Sequence, residues 1–166
     1  MKLRRLAVVI LILMLAAGAA RAGTRVYFSP PFQGEQKVAV YIVAAIAAAR
    51  NQILVQQFQL SEPSILAALA AAQRRGVEVT ALLDKTEIKG AAYLKAAGIP
   101  VYFDPVHIAH CKVLIIDATL VIGGSFNLTR NANERNIENC LFLDEEPVVN
   151  RYYQNFMRRW AVGRKQ

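Results

Sequence analysis

Along this chain, stretches in which apolar residues recur at helical spacing alternate with short β-rich runs, which predicts helices and strands in alternation. Apolar side chains recur at helical spacing from Val38 to Ala49 and again from Ile65 to Ala72, because residues three and four apart share one face of a helix. The β-rich runs ILVQQF and VEVTALLD follow these two stretches. GAAYLKAAG is a third helical pattern and leads into more β-rich sequence.

Residues typical of helix ends mark the boundaries of these elements. Ser61 is expected to cap the second helix, with Pro63 in its first turn and Gly76 as its stop. Asp144 is expected to cap a last helix near the end of the chain. The polar segment 127–136 predicts a loop.

The order of the predicted elements is β-α-β-α-β-α followed by several more strands, which are IPVYF, KVLIID, TLVIGG and IENCLFL. This order favours an α/β fold, with a mixed central β-sheet flanked by helices on both faces. The chain has 166 residues, of which 55% are hydrophobic, enough for one globular domain with a sizeable core.

The first 22 residues have the three-part layout of a secretory signal peptide. A basic start precedes an apolar run, and Ala20-Arg21-Ala22 forms an A-x-A cleavage pattern. The apolar run of 15 residues from Leu6 to Ala20 is shorter than the roughly 20 residues of a membrane-spanning helix. We therefore expect cleavage after Ala22 and a periplasmic or secreted domain of residues 23–166. A retained membrane anchor is the alternative.

The charge balance indicates a polyanionic partner. The chain has 20 Lys and Arg against 12 Asp and Glu. Cleavage after Ala22 would remove four basic side chains and no acidic ones, leaving 16 against 12 and a net charge of +4. Such a domain suits nucleic acid or an anionic lipid surface, and charge does not choose between them.

One group of chemically active residues occupies fixed offsets within 18 positions. The spacing H-x-K-x4-D-x6-G-S-x-N is formed by His110, Lys112, Asp117, Gly124, Ser125 and Asn127. This spacing resembles the signature of the phospholipase D superfamily. An FSP near the mature start, a GIP before the motif and the N-x-E of Asn136 and Glu138 extend the resemblance to small bacterial periplasmic Nuc-type endonucleases. The resemblance covers nearly all of the mature chain and implies a phospholipase D-like fold.

Five residues are candidate catalytic groups. In a strand His110 and Lys112 point to the same face, because side chains alternate with a period of two. A neutral imidazole suits attack on phosphorus, and the ammonium stabilises charge on the non-bridging oxygens. Asn127 can donate to the same oxygens, and Ser125 can fix the phosphate or ring orientation. Glu138, if its strand lies alongside, can accept the other imidazole N–H and hold the reactive tautomer.

The other two motif residues are expected to be structural. Asp117 lies seven residues from His110, so an unbroken strand places it on the opposite face. We expect it to support the fold or an interface, and Gly124 is likewise placed among the structural positions of the motif.

A single histidine does not complete the proposed chemistry. A second group must protonate the leaving oxygen and later activate the water that releases the phosphohistidine. The resembled family meets this need with two motif copies, whereas this chain has one. The resemblance therefore implies a homodimer in which two His110 side chains face each other across a two-fold axis.

The remaining histidine and the two cysteines are expected to be non-catalytic. His107 follows Pro105 in a break and is interpreted as a loop residue, with substrate contact as a lesser alternative. A zinc site from both histidines, Cys111 and Cys140 has suitable ligand types, but Cys111 points away from His110 in a regular strand. The same parity disfavours an intrachain disulfide and makes Cys111 a packed small hydrophobe. No metal and no cofactor are expected.

Arg130 and Arg135 follow Asn127 closely and are candidate contacts to a phosphate backbone. We interpret the chain as a metal-independent phosphodiesterase, foremost a sequence-nonspecific endonuclease that cleaves DNA, with RNA as a second candidate substrate, through a covalent phosphohistidine on His110. A phospholipase D or cardiolipin hydrolase acting at a membrane is one alternative, which a retained N-terminal segment would favour. An inactive nucleic-acid-binding module is the other.

Overall fold

A computed structural model describes residues 23–163 of the chain, so the predicted signal peptide lies outside the described residues. Within that range one sheet contains the strands β1 (Thr24–Ser29), β2 (Gln52–Gln57), β3 (Glu78–Leu83), β4 (Val101–Phe103), β5 (Lys112–Ile116), β6 (Leu120–Gly124) and β7 (Glu138–Leu143). The helices of the same range are α1 (Val38–Ala48), α2 (Pro63–Arg74), α3 (Ile88–Ala96), α4 (Arg130–Glu134) and α5 (Glu146–Gly163). In this part of the chain no helix is long and apolar enough to cross a membrane.

The sheet is mixed, and its strand order is β1-β7-β6-β5-β2-β3-β4. Strands β2, β3 and β4 are parallel, because α2 and α3 serve as the crossovers between them. The pairs β2·β5, β5·β6, β6·β7 and β7·β1 are antiparallel. The predicted α/β architecture with a mixed central sheet is confirmed.

Helices cover both faces of this sheet. The larger core lies on one face, where Ile42 and Ile46 of α1, Leu69 of α2 and Leu94 of α3 are fully buried. On the other face Phe156 of α5 packs with sheet residues such as Val113 and Ile115. Strands β2 and β3 are buried along nearly their whole length, as expected for strands covered on both sides.

Two of the predicted helix caps are wrong. Helix α2 begins at Pro63 with Glu62 at the N-cap position, because the Glu62 carbonyl accepts the first helical hydrogen bond, from the Leu66 amide at 3.0 Å. Helix α5 begins at Glu146, and the Asp144 carboxylate instead accepts a 2.6 Å hydrogen bond from the amide of Gly23.

The segment expected to be a loop contains α4. Thr129 is its N-cap, and the side-chain oxygen of Thr129 accepts a hydrogen bond from the Ala132 amide at 3.2 Å. Asn133 is 4% exposed, and its Oδ1 accepts a hydrogen bond from the Ala39 amide at 3.1 Å. Local capping and a buried amide therefore stabilise a helix that hydrophobic periodicity does not reveal.

The strand directions gather the motif residues at one edge of the sheet. Because β5, β6 and β7 are successive antiparallel neighbours, the start of β5, the end of β6 and the start of β7 meet there. The end of β2 meets the same edge, since Gln57 pairs with Lys112. This edge therefore receives side chains from four strands and from the loops that follow them.

Candidate active site

His110 and Lys112 lie in direct contact at this edge. His110 is exposed and precedes β5, which begins at Lys112. The ammonium nitrogen of Lys112 is 3.0 Å from Nδ1 and 3.2 Å from Nε2 of the His110 ring, and it donates to the His110 carbonyl oxygen at 2.7 Å. The prediction that His110 belongs to the strand is wrong, because its amide is bonded to the Ile108 carbonyl in a turn, yet the two side chains still meet.

Phe58 joins this pair from the segment after β2. Its ring centroid is 4.6 Å from that of the His110 ring, and the Lys112 ammonium lies 5.2 Å from the same phenyl centroid. A cation over an aromatic face is attracted by the ring quadrupole. Phe58 therefore restrains both motif side chains from one side.

The environment of Lys112 alters its proton affinity. Burial lowers the pKa of the Lys112 ammonium below its ordinary value, because it disfavours the charged form. The charges of Cys111 and Glu138 act in the opposite direction and raise this pKa. Glu138 therefore influences the Lys112 ammonium without forming a hydrogen bond to it.

Glu138 is part of a hydrogen-bond group around Ser125. The Ser125 hydroxyl donates to Glu138 Oε2 and accepts a hydrogen bond from the Asn139 amide at 3.1 Å. The side-chain amide of Asn136 donates to Glu138 Oε1 at 3.1 Å. This group fixes the carboxylate at the start of β7.

The prediction of a hydrogen bond from the His110 ring to Glu138 is wrong within this chain. Strand β6 lies between β5 and β7 in the sheet, so the carboxylate is two strands away from the strand that follows His110. Neighbouring strands are about 4.8 Å apart. Ser125, which follows the intervening strand, occupies the place next to Glu138.

Gly124 permits the backbone approach that brings Ser125 to this position. Its φ is +135°, a conformation that side chains rarely allow. A Cβ atom at this position would lie 2.5 Å from the carbonyl oxygen of Asn139. The glycine is therefore required by the close packing of the end of β6 against β7.

Asp117 holds a neighbouring loop. It lies in the turn after β5 with φ of +51°. The unbroken strand that we assumed from His110 to Asp117 therefore ends one residue before Asp117. Its carboxylate accepts hydrogen bonds from the amides of Arg50, Asn51 and Gln52 at 2.7–2.9 Å. Burial alone would raise the pKa of Asp117, but these backbone donors outweigh it and lower the pKa.

Two buried carboxylates anchor the loop that leads to His110. Asp104 is 4% exposed and accepts hydrogen bonds from the amides of Val106 and His107 at 2.9 and 2.8 Å. Asp84 is 2% exposed and accepts from the amide of Ala109, the residue before His110, at 3.0 Å. The hydrogen bond from the His107 amide is the main cause of the lowered pKa of Asp104. The backbone on both sides of His110 is therefore restrained.

His107 is an exposed residue of this loop, as the sequence predicts. Its Nδ1 is 3.4 Å from Asp104 Oδ1 and 3.4 Å from a guanidinium nitrogen of Arg159. It lines a cavity of about 150 Å³ together with His110 and Cys111. The two histidines therefore share a cavity, but the contact with Lys112 belongs to His110.

Asn127 opens onto a second, larger cavity of about 320 Å³. Every side chain that lines it is polar, and these are Gln59, Ser61, Glu87, Asn127, Thr129, Arg130, Asn131 and Asn136. The Oδ1 atom of Asn127 is buried and makes no hydrogen bond to the described part of the chain. Arg130 contributes to this cavity, whereas Arg135 is an exposed residue at the end of α4 outside the set that lines it.

The prediction that Cys111 packs as a small hydrophobe is wrong. Cys111 is exposed, and Cys140 is the buried thiol. Because β5 begins only at Lys112, strand parity does not apply to Cys111, which lines the cavity that it shares with His110. Both thiols are free, and burial raises the pKa of Cys140 to about 12. Within residues 23–163 no three His, Cys, Asp or Glu side chains are grouped as metal ligands.

Comparison with known proteins identifies the family of this fold and site. Residues 42–160 match the family model described as "Cardiolipin synthase, PLD-like domain". The chain belongs to the phospholipase D superfamily. Its relatives support a hydrolase of that superfamily, and the resemblance stated from its motif is confirmed.

Individual members of the superfamily differ in the activities their names state. A protein named phospholipase D from Rickettsia bellii is 39% identical over 147 residues, which span 86% of this chain and 71% of the relative. The crystal structure of the phospholipase D family member Nuc from Salmonella typhimurium superposes with a TM-score of 0.75 and 31% identity, covering 85% of this chain and 95% of that chain. A mitochondrial cardiolipin hydrolase from Xenopus tropicalis is 33% identical over 62% of this chain and 51% of the relative.

Sequence reasoning missed two residues of the site. Phe58 contacts the motif pair from a segment far away in sequence, and nothing in its local pattern separates it from a core phenylalanine. Gln59 lines the polar cavity for the same topological reason, since it follows the strand that pairs with β5. A signal was available for Gln59, because a glutamine-rich strand end in QQFQ is unusual for a buried strand.

Proposed function

We propose that this phospholipase D-like chain is a metal-independent, sequence-nonspecific endonuclease that cleaves DNA, with RNA as a second candidate substrate. The observation that carries the proposal is the contact between the Lys112 ammonium and the His110 ring, 3.0 Å apart at an exposed sheet edge, together with the wholly polar cavity that Asn127 of the same motif lines. An open polar approach suits a phosphodiester in a long polar chain. The cavity that His110 lines has a mixed wall, with Leu82, Ile108 and Ala109 among polar residues, and its volume of about 150 Å³ is small for acyl chains.

In the proposed first step a ring nitrogen of His110 attacks phosphorus, and the bond from phosphorus to the leaving oxygen breaks. Lys112 and the Asn127 amide stabilise the charge on the non-bridging oxygens. A general acid protonates the leaving oxygen, so that one product carries a hydroxyl and the other remains on His110 as a phosphohistidine. Water then attacks phosphorus and releases histidine and the second product.

The proton donor is proposed to be His110 of a second copy of the chain. Each chain carries one motif, and the balance of the two steps requires a group that first gives and then accepts a proton. Ser125 and Glu138 support the arrangement by fixing the bound phosphate and by raising the pKa of Lys112. Arg130 is proposed to contact the phosphate backbone near Asn127, and Arg135 to contact it further out.

The names of relatives favour a second candidate function, that of a phospholipase acting on phospholipid. The Rickettsia bellii protein, 39% identical over most of this chain, is named phospholipase D. The same attack on phosphorus would release a lipid headgroup. A membrane location would require the N-terminal segment to be retained, whereas export with cleavage after Ala22 is the arrangement proposed here.

The deciding experiment compares plasmid DNA with vesicles that contain cardiolipin and phosphatidylcholine, both in excess EDTA. We expect the plasmid to be nicked and linearised and the lipids to stay intact. His110→Ala is expected to abolish cleavage, while His107→Ala, a matched change in the same exposed loop, is expected to retain it. Lipid hydrolysis without DNA cleavage would overturn the nuclease proposal. Loss of activity in EDTA would overturn the metal independence. Binding of DNA with no cleavage of either substrate would overturn the proposal that the chain is an enzyme.

A further inference from the structure

The polar cavity beside Asn127 has the wrong charge for a second phosphate. It contains one acidic side chain, Glu87, and one basic side chain, Arg130, and its other lining groups are neutral. The Glu87 carboxylate accepts hydrogen bonds from the amides of Leu60 and Gly90 at 3.0 and 2.9 Å, so it is a fixed part of the wall. One carboxylate and one guanidinium give the lining a formal net charge of zero, so the cavity has no excess positive charge to hold an anion. The cavity therefore suits a neutral polar group.

Two side-chain amides in this cavity are free to bind such a group. Gln59 and Asn131 both line it, and neither side chain forms a hydrogen bond with another described residue. An amide side chain presents a donor and an acceptor next to each other. The edge of a nucleobase presents the same arrangement, and Asn or Gln binds adenine through two such hydrogen bonds.

The segments that carry Gln59 and Asn127 are hydrogen-bonded to each other. Leu60 pairs with Leu128 in an isolated parallel bridge, and the Leu128 carbonyl accepts hydrogen bonds from the amides of Ser61 and Glu62 at 2.8 and 2.9 Å. Gln59 and Asn127 are the residues directly before the two bridge partners. The bridge therefore holds Gln59 at a fixed place relative to the motif amide that is proposed to contact phosphate.

Volume and position are compatible with one nucleoside. The cavity of about 320 Å³ is at the small end of the roughly 300–1,000 Å³ that ligand sites occupy. Asn127 forms part of its lining, so a phosphate held by Asn127 would place the adjoining sugar and base at the cavity. The N–H edge of the Arg130 guanidinium can contact the phosphate while its plane offers a surface on which an unstacked base can lie.

We propose that this cavity binds the base next to the scissile phosphate and favours adenine there. The inference rests on the proposed nuclease function and deepens it, because cleavage would need no defined site yet would show a bias at one position. Gln59 and Asn131 are then specificity residues, and the phosphate chemistry remains with His110 and Lys112.

The first test is a binding measurement that does not depend on catalysis. Titration calorimetry compares deoxyadenosine monophosphate with deoxyribose 5-phosphate, which has the phosphate and sugar but no base. We expect the nucleotide to bind about tenfold more tightly, the size of one amide–adenine pair. Gln59→Ala and Asn131→Ala should each reduce this ratio, whereas Gln154→Ala, an exposed amide on α5 outside the cavity, should keep it. Equal binding of the two ligands, or a ratio unchanged in both cavity variants, would overturn the inference.

The second test sequences the ends of fragments cut from a random DNA library. We expect adenine to be enriched at one position beside the cut, and the enrichment to fall in Gln59→Ala and Asn131→Ala but not in Gln154→Ala. Base-dependent binding without DNA cleavage would overturn the nuclease function and support the cavity assignment. Cleavage with uniform ends and equal binding would support the nuclease function and overturn the cavity assignment.

Discussion

At the scale of single residues, Phe58 is the side chain whose role is least visible in the sequence. Its ring contacts both His110 and Lys112. We predict that Phe58→Leu lowers kcat about fivefold, because loss of a cation–π contact of about 1 kcal/mol leaves the two side chains less well oriented. Rates with bis(4-nitrophenyl) phosphate, a chromogenic phosphodiester, measure this change. Phe58→Tyr keeps the ring and should retain the rate, and a Leu variant with the original kcat would contradict the positioning role.

The charge of Glu138 should be visible in the pH profile. Burial lowers the pKa of Lys112, and the Glu138 carboxylate partly reverses that shift. Glu138→Gln removes the negative charge, so the pKa of Lys112 should fall further. Because the charged ammonium is the form that stabilises the phosphate, activity is lost as the pH rises through this pKa. We therefore predict that the alkaline limb of kcat against pH moves to lower pH.

Glu138→Asp is the matched control for that profile, since it keeps the charge while shortening the side chain. It should leave the alkaline limb closer to its original position than Glu138→Gln does. Superposition of the alkaline limbs of Glu138→Gln and the unchanged protein would show that the carboxylate has no electrostatic effect on Lys112.

At the scale of elements, Asp117 joins the turn between β5 and β6 to the segment before β2. Its pKa is lowered by the backbone amides it accepts from, against the effect of burial. The stabilisation is therefore fully present above the ordinary carboxyl pKa of about 4 and is lost as the pH falls through the lowered pKa of the folded state. We predict that Asp117→Asn reduces the free energy of unfolding by about 2 kcal/mol at pH 7.

Urea unfolding measured from pH 7 down to pH 2 tests this prediction. The difference between the unchanged protein and Asp117→Asn should shrink in the acid range, because protonation of Asp117 removes the same charge. A difference that stays constant with pH would contradict the ionised-acceptor role of Asp117.

The elements that sequence predicts well are those whose hydrophobic pattern decides their structure. α1 and α2 bury periodic apolar faces, and β2 is a short β-rich run that is buried along nearly its whole length. α4 was missed because its sequence RNANE is polar and its stability comes from Thr129 and the buried Asn133. Both contacts depend on residues brought together by the fold.

The site shows the same division between local and non-local information. The contact of His110 with Lys112 is local, so spacing alone placed these two side chains together. The partner of Glu138 is non-local, because it depends on which strand lies between β5 and β7. Sequence could not give that strand order, and the predicted bond from Glu138 to His110 failed for this reason.

At the scale of the whole molecule, the shared active site makes a quantitative prediction about mixed dimers. Two differently tagged chains, one unchanged and one carrying His110→Ala, are expressed together in equal amounts and purified without separation of the species. If each dimer needs both His110 side chains, about one quarter of the original activity remains. Independent sites would leave about one half. Mixing with His107→Ala should cause no such loss, and an active monomer in sedimentation would contradict the shared site.

The proposed mechanism requires a covalent phosphohistidine on His110. Rapid mixing with radiolabelled bis(4-nitrophenyl) phosphate, followed by quenching in alkaline denaturant and peptide mapping, tests it most directly. We predict a burst of 4-nitrophenolate matched by label on the peptide that contains His110, with neither burst nor label in His110→Ala. Turnover with no labelled protein at any time, or label on a peptide that lacks His110, would contradict it.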